Sequence, residues 1–146
     1  MRVLAIGAGG VGTSAALIVR RRSFFDHWTI ADYAADRVDA LVARVSDPRF
    51  SGVTLDASSK DDVMRVIRER GITHVLNVVD PRFVMPIFEA CVELGVNYMD
   101  SAMSLSHPHP DDPYTQPYIK LGDEQFALAD AMKEKGALAL VGMGVE

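Results

Sequence analysis

The chain has 146 residues, a formal charge of −5, and 49% hydrophobic against 24% charged residues, enough for one ordinary globular domain with a sizeable core. The acidic balance argues against nucleic acid or an anionic membrane surface as the main partner. No apolar run approaches the roughly 18 residues of a transmembrane helix, and a strand-like run already opens at Arg2, so a cytoplasmic location without a leader is the expectation.

Val3, Leu4, Ala5 and Ile6 form a short apolar run that reads as a buried parallel strand. Gly7-Ala8-Gly9-Gly10-Val11-Gly12 follows with G-x-G-x-x-G spacing and leads at once into an apolar helical stretch. In this context Gly7 allows the tight turn, Gly9 lets backbone approach a pyrophosphate, and Gly12 lets the helix sit close to the strand. The helix N-terminus then offers unpaired N–H groups and the positive end of its dipole. A second strand, 28–32, ends at Asp32, 20 residues after Gly12, where a dinucleotide-binding βαβ unit places a carboxylate for the adenosine ribose.

Strand and helix patterns then alternate. A helix is predicted over 35–45, with Val38, Leu41, Val42 and Val45 as its inward stripe, then a strand over 52–55. Ser58 or Ser59 caps the next helix, which Gly71 closes, and residues 73–79 make a nearly continuous apolar strand suited to the sheet centre. A helix over 82–94 accommodates Pro86 only near its first turn. A fifth strand covers 96–99, residues 101–117 are irregular and rich in proline, a helix covers 119–135, and a sixth strand covers 137–141. Six strands separated by helices predict a Rossmann-type doubly wound parallel sheet in the order 3-2-1-4-5-6.

Ligands of such a sheet lie at the carboxyl ends of the strands. Those ends carry the glycine turn, Asp32, Asp56 and Ala57, the segment Asn77-Val78-Val79-Asp80-Pro81, Asp100-Ser101, and Gly142 to Gly144. Asp56 and Ala57 either contact the adenine or cap a turn. The 77–81 segment is expected to border the pyrophosphate and the nicotinamide ribose. Asp100 either orients substrate or caps the following loop. His107 and His109 form an H-x-H pair without a third ligand and read as a solvated loop, so no metal is expected. Cys91 lies in an apolar helical stripe and reads as a core thiol; a single cysteine excludes an internal disulfide. Asp32 followed by Tyr33 predicts NAD as the preferred cofactor, with NADP open through Arg37.

The glycine turn, the stretch Pro86-Ile-Phe-Glu-Ala-Cys91-Val-Glu-Leu-Gly95-Val-Asn-Tyr98-Met-Asp100 and the ending Gly142-Met-Gly-Val-Glu146 resemble the saccharopine dehydrogenase family. The resemblance spans essentially the whole chain, as that family's N-terminal nucleotide-binding domain. It implies NAD(P)-dependent oxidation or reduction at an amine carbon through an imine, with amino-acid or polyamine substrates. It also implies a substrate domain and catalytic residues beyond residue 146, and a homodimer for the longer protein. A different reading of the same pattern is a regulatory nucleotide-sensing module of the potassium-channel type. The Tyr98-x-Asp100 strand end and the long 101–117 loop favour the enzyme.

Overall fold

A computed structural model describes residues 1–144. Its sheet has six parallel strands: β1 (Arg2–Ile6), β2 (His27–Asp32), β3 (Phe50–Thr54), β4 (His74–Asn77), β5 (Asn97–Asp100) and β6 (Ala139–Leu140). They lie in the order β3-β2-β1-β4-β5-β6, as the alternating pattern predicts. The connecting helices are α1 (Gly10–Val19), α2 (Ala35–Val45), α3 (Lys60–Arg70), α4 (Val84–Leu94), α5 (Asp123–Phe126) and α6 (Ala129–Glu134), with a 3-10 turn at Pro81–Phe83.

Period-two alternation sends the residues of each strand to opposite faces. Val3 and Ala5 of β1 meet Ala16 and Val19 of α1 and Val38, Leu41 and Val45 of α2, where Phe25, Trp28 and Phe50 add an aromatic cluster. Leu4 and Ile6 point the other way, into a larger core with Val63, Val66 and Ile67 of α3 and Ile87, Phe88 and Cys91 of α4. Burial pushes the pKa of the Cys91 thiol up, so it stays a protonated core group.

Helix ends follow local chemistry. The Ser59 hydroxyl accepts from Asp62 N at the start of α3, and Gly71 and Gly95 close α3 and α4 in left-handed conformation. Pro86 sits in the first turn of α4, where its missing N–H leaves no helical bond unmade.

Three expected elements differ. The fourth strand stops at Asn77, because the Asn77 side-chain oxygen turns back to accept from Val79 N and bends the chain off the ladder. The predicted helix over 119–135 is two short helices. Ile119 is held in an antiparallel bridge with His107 and Gly122 N donates to Ser104 O, so helix begins only at Asp123. The sixth strand shrinks to two residues, pairs with β5 alone, and ends where Gly142 N donates to the Asp100 carboxylate.

Candidate functional site

A cleft of about 510 Å³ opens at the carboxyl ends of β1 to β4. Gly7 and Gly9 form its floor, and Asp32, Tyr33, Arg37, Leu55, Asp56 and Ala57 close the β2–β3 side. Val78, Val79, Asp80, Arg82 and Phe83 close the β4 side.

The three motif glycines have three distinct geometries. Gly7 has φ +115°, which a side chain rarely tolerates, and its turn carries the chain from β1 to α1. A Cβ on Gly12 would lie 1.8 Å from the Gly7 carbonyl oxygen, so hydrogen is the largest group that fits there. A Cβ on Gly9 meets nothing within 4 Å. Gly9 is therefore not required by the packing of the chain, and its bareness leaves space on the cleft side for a ligand. The N-terminus of α1 matches: Gly9 supplies no side-chain cap and the first turn contains no acidic residue. The N–H groups of Gly10, Val11 and Gly12 have no intrahelical acceptor and are the donors a pyrophosphate needs. A dinucleotide phosphate fits this loop.

Asp32 is only 8% exposed, and both its oxygens already accept backbone hydrogen bonds. Oδ2 accepts from Ala8 N at 2.8 Å and Oδ1 from Ala34 N at 3.0 Å, so the carboxylate ties the glycine loop to the start of α2. Asp56 accepts from Ser58 N at 2.9 Å and from the Ser58 hydroxyl at 2.6 Å. Those bonds hold its pKa below the ordinary carboxylate value and make it a turn cap that also lines the cleft. Asp80 is likewise held low by hydrogen bonds from Arg82.

The expected residues at the ends of β4 and β5 divide. Val78 and Val79 line the cleft, and Pro81 starts the 3-10 turn whose neighbours Asp80 and Arg82 line it. Asn77 and Asp100 turn inward instead. Asn77 Nδ2 donates to the Tyr98 hydroxyl at 3.0 Å, which donates to Asp100 Oδ2 at 2.9 Å. Gln125 Nε2 also donates to Asp100 Oδ2 at 2.8 Å, Gly142 N donates to Oδ1 at 2.6 Å, and Asp100 is 1% exposed. Of the two readings of Asp100, the geometry is that of a loop cap. Burial, then the Asp100 charge, raises the Tyr98 pKa, so the phenol keeps its proton and donates. Ser101 N donates to Asn77 O at 3.2 Å and its side chain is not among the lining groups. His109 Nδ1 accepts from Asp111 N and Asp112 N, and no group of three potential ligands gathers among the described residues.

Leu55, Arg82 and Phe83 line the cleft without having been singled out from the sequence. Arg82 and Phe83 directly follow the 77–81 segment; treating Pro81 as the end of the site concealed them.

Sheet order, glycine turn and cleft together define a Rossmann-type dinucleotide-binding domain. Residues 3–140 match the family described as saccharopine dehydrogenase NADP binding domain, and the chain belongs to that family. This membership favours the dehydrogenase reading over the potassium-channel sensor.

The chain is 28% identical over 145 residues to a carboxyaminopropylagmatine dehydrogenase of Synechocystis, covering 99% of this chain and 34% of that protein. It is 24% identical over 155 residues to a carboxynorspermidine synthase of Vibrio cholerae, covering 100% of this chain and 36% of that protein. The chain thus spans about a third of the length of these curated relatives. In fold it is similar to an apo saccharopine dehydrogenase (L-Glu forming) of Saccharomyces cerevisiae, with TM-score 0.70 at 13% identity, over 97% of this chain and 27% of that one. It is also similar to GenD2 from gentamicin A biosynthesis in complex with NAD, with TM-score 0.67 at 17% identity, over 97% of this chain and 34% of that one.

Proposed function

We propose that residues 1–146 are the dinucleotide-binding domain of an oxidoreductase that acts at an amine carbon through an imine, on an amino-acid-like or polyamine-like substrate. The observation that carries this reading is the empty space above Gly9 beside an uncapped helix N-terminus, in a chain whose family is one of NADP-binding domains. The names of the two relatives favour a carboxylated polyamine over a simple amino acid.

The bound nicotinamide supplies the hydride chemistry, and the chain supplies position. The α1 N–H groups hold the pyrophosphate, the Asp32 staple fixes the glycine loop, and Val78, Val79 and Phe83 form the apolar wall on the β4 side, where the nicotinamide half would lie. Asn77, Asp80, Asp100 and Ser101 would influence the nicotinamide end through the loops they hold. A substrate domain outside these residues completes the other wall and brings the catalytic acid and base. The working protein would be a cytoplasmic homodimer whose partner is this small amine, without nucleic acid or membrane; no helix among the described residues is long and apolar enough to cross a membrane.

Titration of the 146-residue chain with NADPH and NADH, followed by cofactor fluorescence, tests the first half of the reading. Saturable binding without turnover of a carboxylated polyamine is expected, because hydride transfer needs a substrate held roughly 3–3.5 Å from the reacting carbon. Absence of binding of either cofactor would overturn the assignment, and sustained turnover would show that this chain closes a substrate site by itself.

A further inference from the structure

Tyr98 carries a hydroxyl that packing alone does not require. Its ring is 3% exposed and lies edge-on to Phe88, with centroids 5.0 Å apart, so a phenylalanine would fill the same space. A buried hydroxyl costs free energy unless it is hydrogen-bonded. This one is bonded twice, and the bonds run in one direction.

Asn77 and Asp100 are register partners across β4 and β5, 2% and 1% exposed. Val79 N donates to Asn77 Oδ1 at 3.1 Å, which fixes the amide with Nδ2 toward Tyr98. An amide nitrogen only donates, so the phenol oxygen accepts from it and gives its single proton to Asp100 Oδ2. Gln125 is fixed in the same manner on the far side: Nε2 donates to Asp100 Oδ2, and Oε1 accepts from Ser104 N at 2.8 Å. Gly142 N completes the anchor on Oδ1. Reversing the Asn77 amide would oppose two donors at Val79 and take the phenol proton away from Asp100. The chain of bonds therefore has an anchored end, the Asp100 carboxylate, and a working end, Val79 N. At the working end β4 leaves the ladder, and Val78 and Val79 turn into the cleft.

We infer that Tyr98 is a positioning residue for the nicotinamide half of the dinucleotide: anchored on Asp100, its hydroxyl orients the Asn77 amide, and Asn77 sets the bend that presents Val78 and Val79 to the ring. The inference rests on the dinucleotide reading above. The adenosine half meets other parts of the cleft, the α1 N-terminus and the β2–β3 side, so an effect passed through Val79 should fall on one half of the ligand only.

Two ligands that differ by the nicotinamide alone, NADPH and 2′-phospho-ADP-ribose, test it by equilibrium titration of the purified chain. Tyr98→Phe keeps the ring and, by circular dichroism, the fold. It should weaken NADPH about fivefold and leave 2′-phospho-ADP-ribose within about twofold of wild type. The fluorescence anisotropy of bound NADPH, which reports how firmly the reduced ring is held, should fall. Asn77→Ala cuts the same chain nearer the cleft and should show the same selectivity with a larger loss, about tenfold. Because Tyr98 acts through Asn77, the double variant should match Asn77→Ala rather than multiply the two losses. Equal weakening of both ligands by Tyr98→Phe, no weakening of either, an unchanged anisotropy, or multiplied losses in the double variant overturns the inference. If Tyr98→Phe does not fold, Asn77→Ala decides alone: selective loss of NADPH supports the inference, and an equal loss or none overturns it. Those results leave the dinucleotide assignment standing, whereas failure of the wild type to bind either ligand removes the assignment and the inference together.

Discussion

Around β1 and β2 the sheet is closed on both faces, by α1 and α2 on one side and by the core built on α3 and α4 on the other. Around β5 and β6 the cover differs. Ala5, Leu76, Met99 and Leu140 are register partners across β1, β4, β5 and β6, so all four face the α1 side. Ala5 is 2% exposed under α1, but Met99 is 36% and Leu140 44% exposed. The first region is held by apolar layers. In the second, a buried carboxylate gathers what layers do not: Asp100 receives donors from Tyr98, Gln125 and Gly142, and Gln125 in turn accepts from Ser104 N. A sheet covered on both faces specifies itself by steric fit, while a half-covered edge depends on a few polar bonds reaching across long stretches of chain.

The glycine loop offers the sharpest way to break the first region. Gly12→Val places side-chain carbon where the Gly7 carbonyl already stands, at 1.8 Å for Cβ alone, and is expected to cost above about 3 kcal/mol of stability, because backbone cannot yield as a flexible side chain does. Urea denaturation followed by circular dichroism measures it. Gly9→Val should behave in the opposite way. With nothing within 4 Å of its Cβ the fold survives, while the added side chain occupies the space above the helix N-terminus, so dinucleotide affinity should fall by about a hundredfold or more. A folded Gly9→Val protein with unchanged affinity would show that the loop is a structural turn only.

The second region has its counterpart in Asp100→Ala. Removing the carboxylate leaves the buried Tyr98 hydroxyl and Gln125 amide, and the half-buried Gly142 N, without their acceptor, and an unsatisfied buried donor costs about 1–3 kcal/mol, so a loss on the order of 3 kcal/mol is expected. The loss should be local before it is global. Hydrogen exchange at Ser104, Gly122 and Gly142 should speed up first, with β1 and β2 still protected. Uniform loss of protection over the sheet would mean that the two regions are one cooperative unit.

This contrast explains what could be read in the residues beforehand. Strand order, the α2 bounds and the separate roles of Gly7 and Gly12 were legible because they follow from period, spacing and sterics within one βαβ unit. Asp56 reached the cleft for a similarly local reason, a turn that bonds back on itself through Ser58. The fate of Asp100 was not legible, because its donors come from residues 98, 125 and 142, and no local pattern announces that Gln125 is fully buried. The broken last helix has the same origin: Ile119 and Gly122 are claimed by His107 and Ser104, partners that helical periodicity cannot see. Asp32 sits between these cases, since its position was plain but its two backbone donors were not.

The first region also contains a half-buried polar clasp with a pH signature. Arg49 donates to the Asp47 carboxylate, reaches the carbonyls of Arg20 and Arg22 just past α1, and lies over the Phe25 ring. Hydrogen bonds from Arg49 hold the Asp47 pKa at about 2, below the ordinary 3.8. A carboxyl lowered by folding stabilises fully above its unfolded value, and that contribution is lost as pH falls through the folded value. Between about pH 4 and pH 2 the melting temperature of the wild type should therefore fall more steeply than that of Asp47→Asn, which lacks the group. Parallel slopes would show that the clasp adds nothing in solution.

The smallest effect is expected at the bare edge. Leu138 immediately precedes β6 and is 62% exposed, and its backbone N–H and C=O, not its side chain, make the bonds to Asn97 Oδ1 and Tyr98 N. Leu138→Thr keeps those backbone bonds, keeps a residue suited to extended structure, and removes apolar surface that water already reaches. Its effect on stability should stay within about 0.5 kcal/mol. The corresponding truncation in the closed region, Leu4→Ala at 0% exposure, should cost roughly 2–5 kcal/mol by leaving a cavity between β1 and the α3–α4 core. Denaturant midpoints of the two variants measured side by side give the difference directly. A Leu138→Thr loss approaching that of Leu4→Ala would mean that the edge is covered in solution, by association of the chain with itself, and a concentration-dependent midpoint would identify that cover.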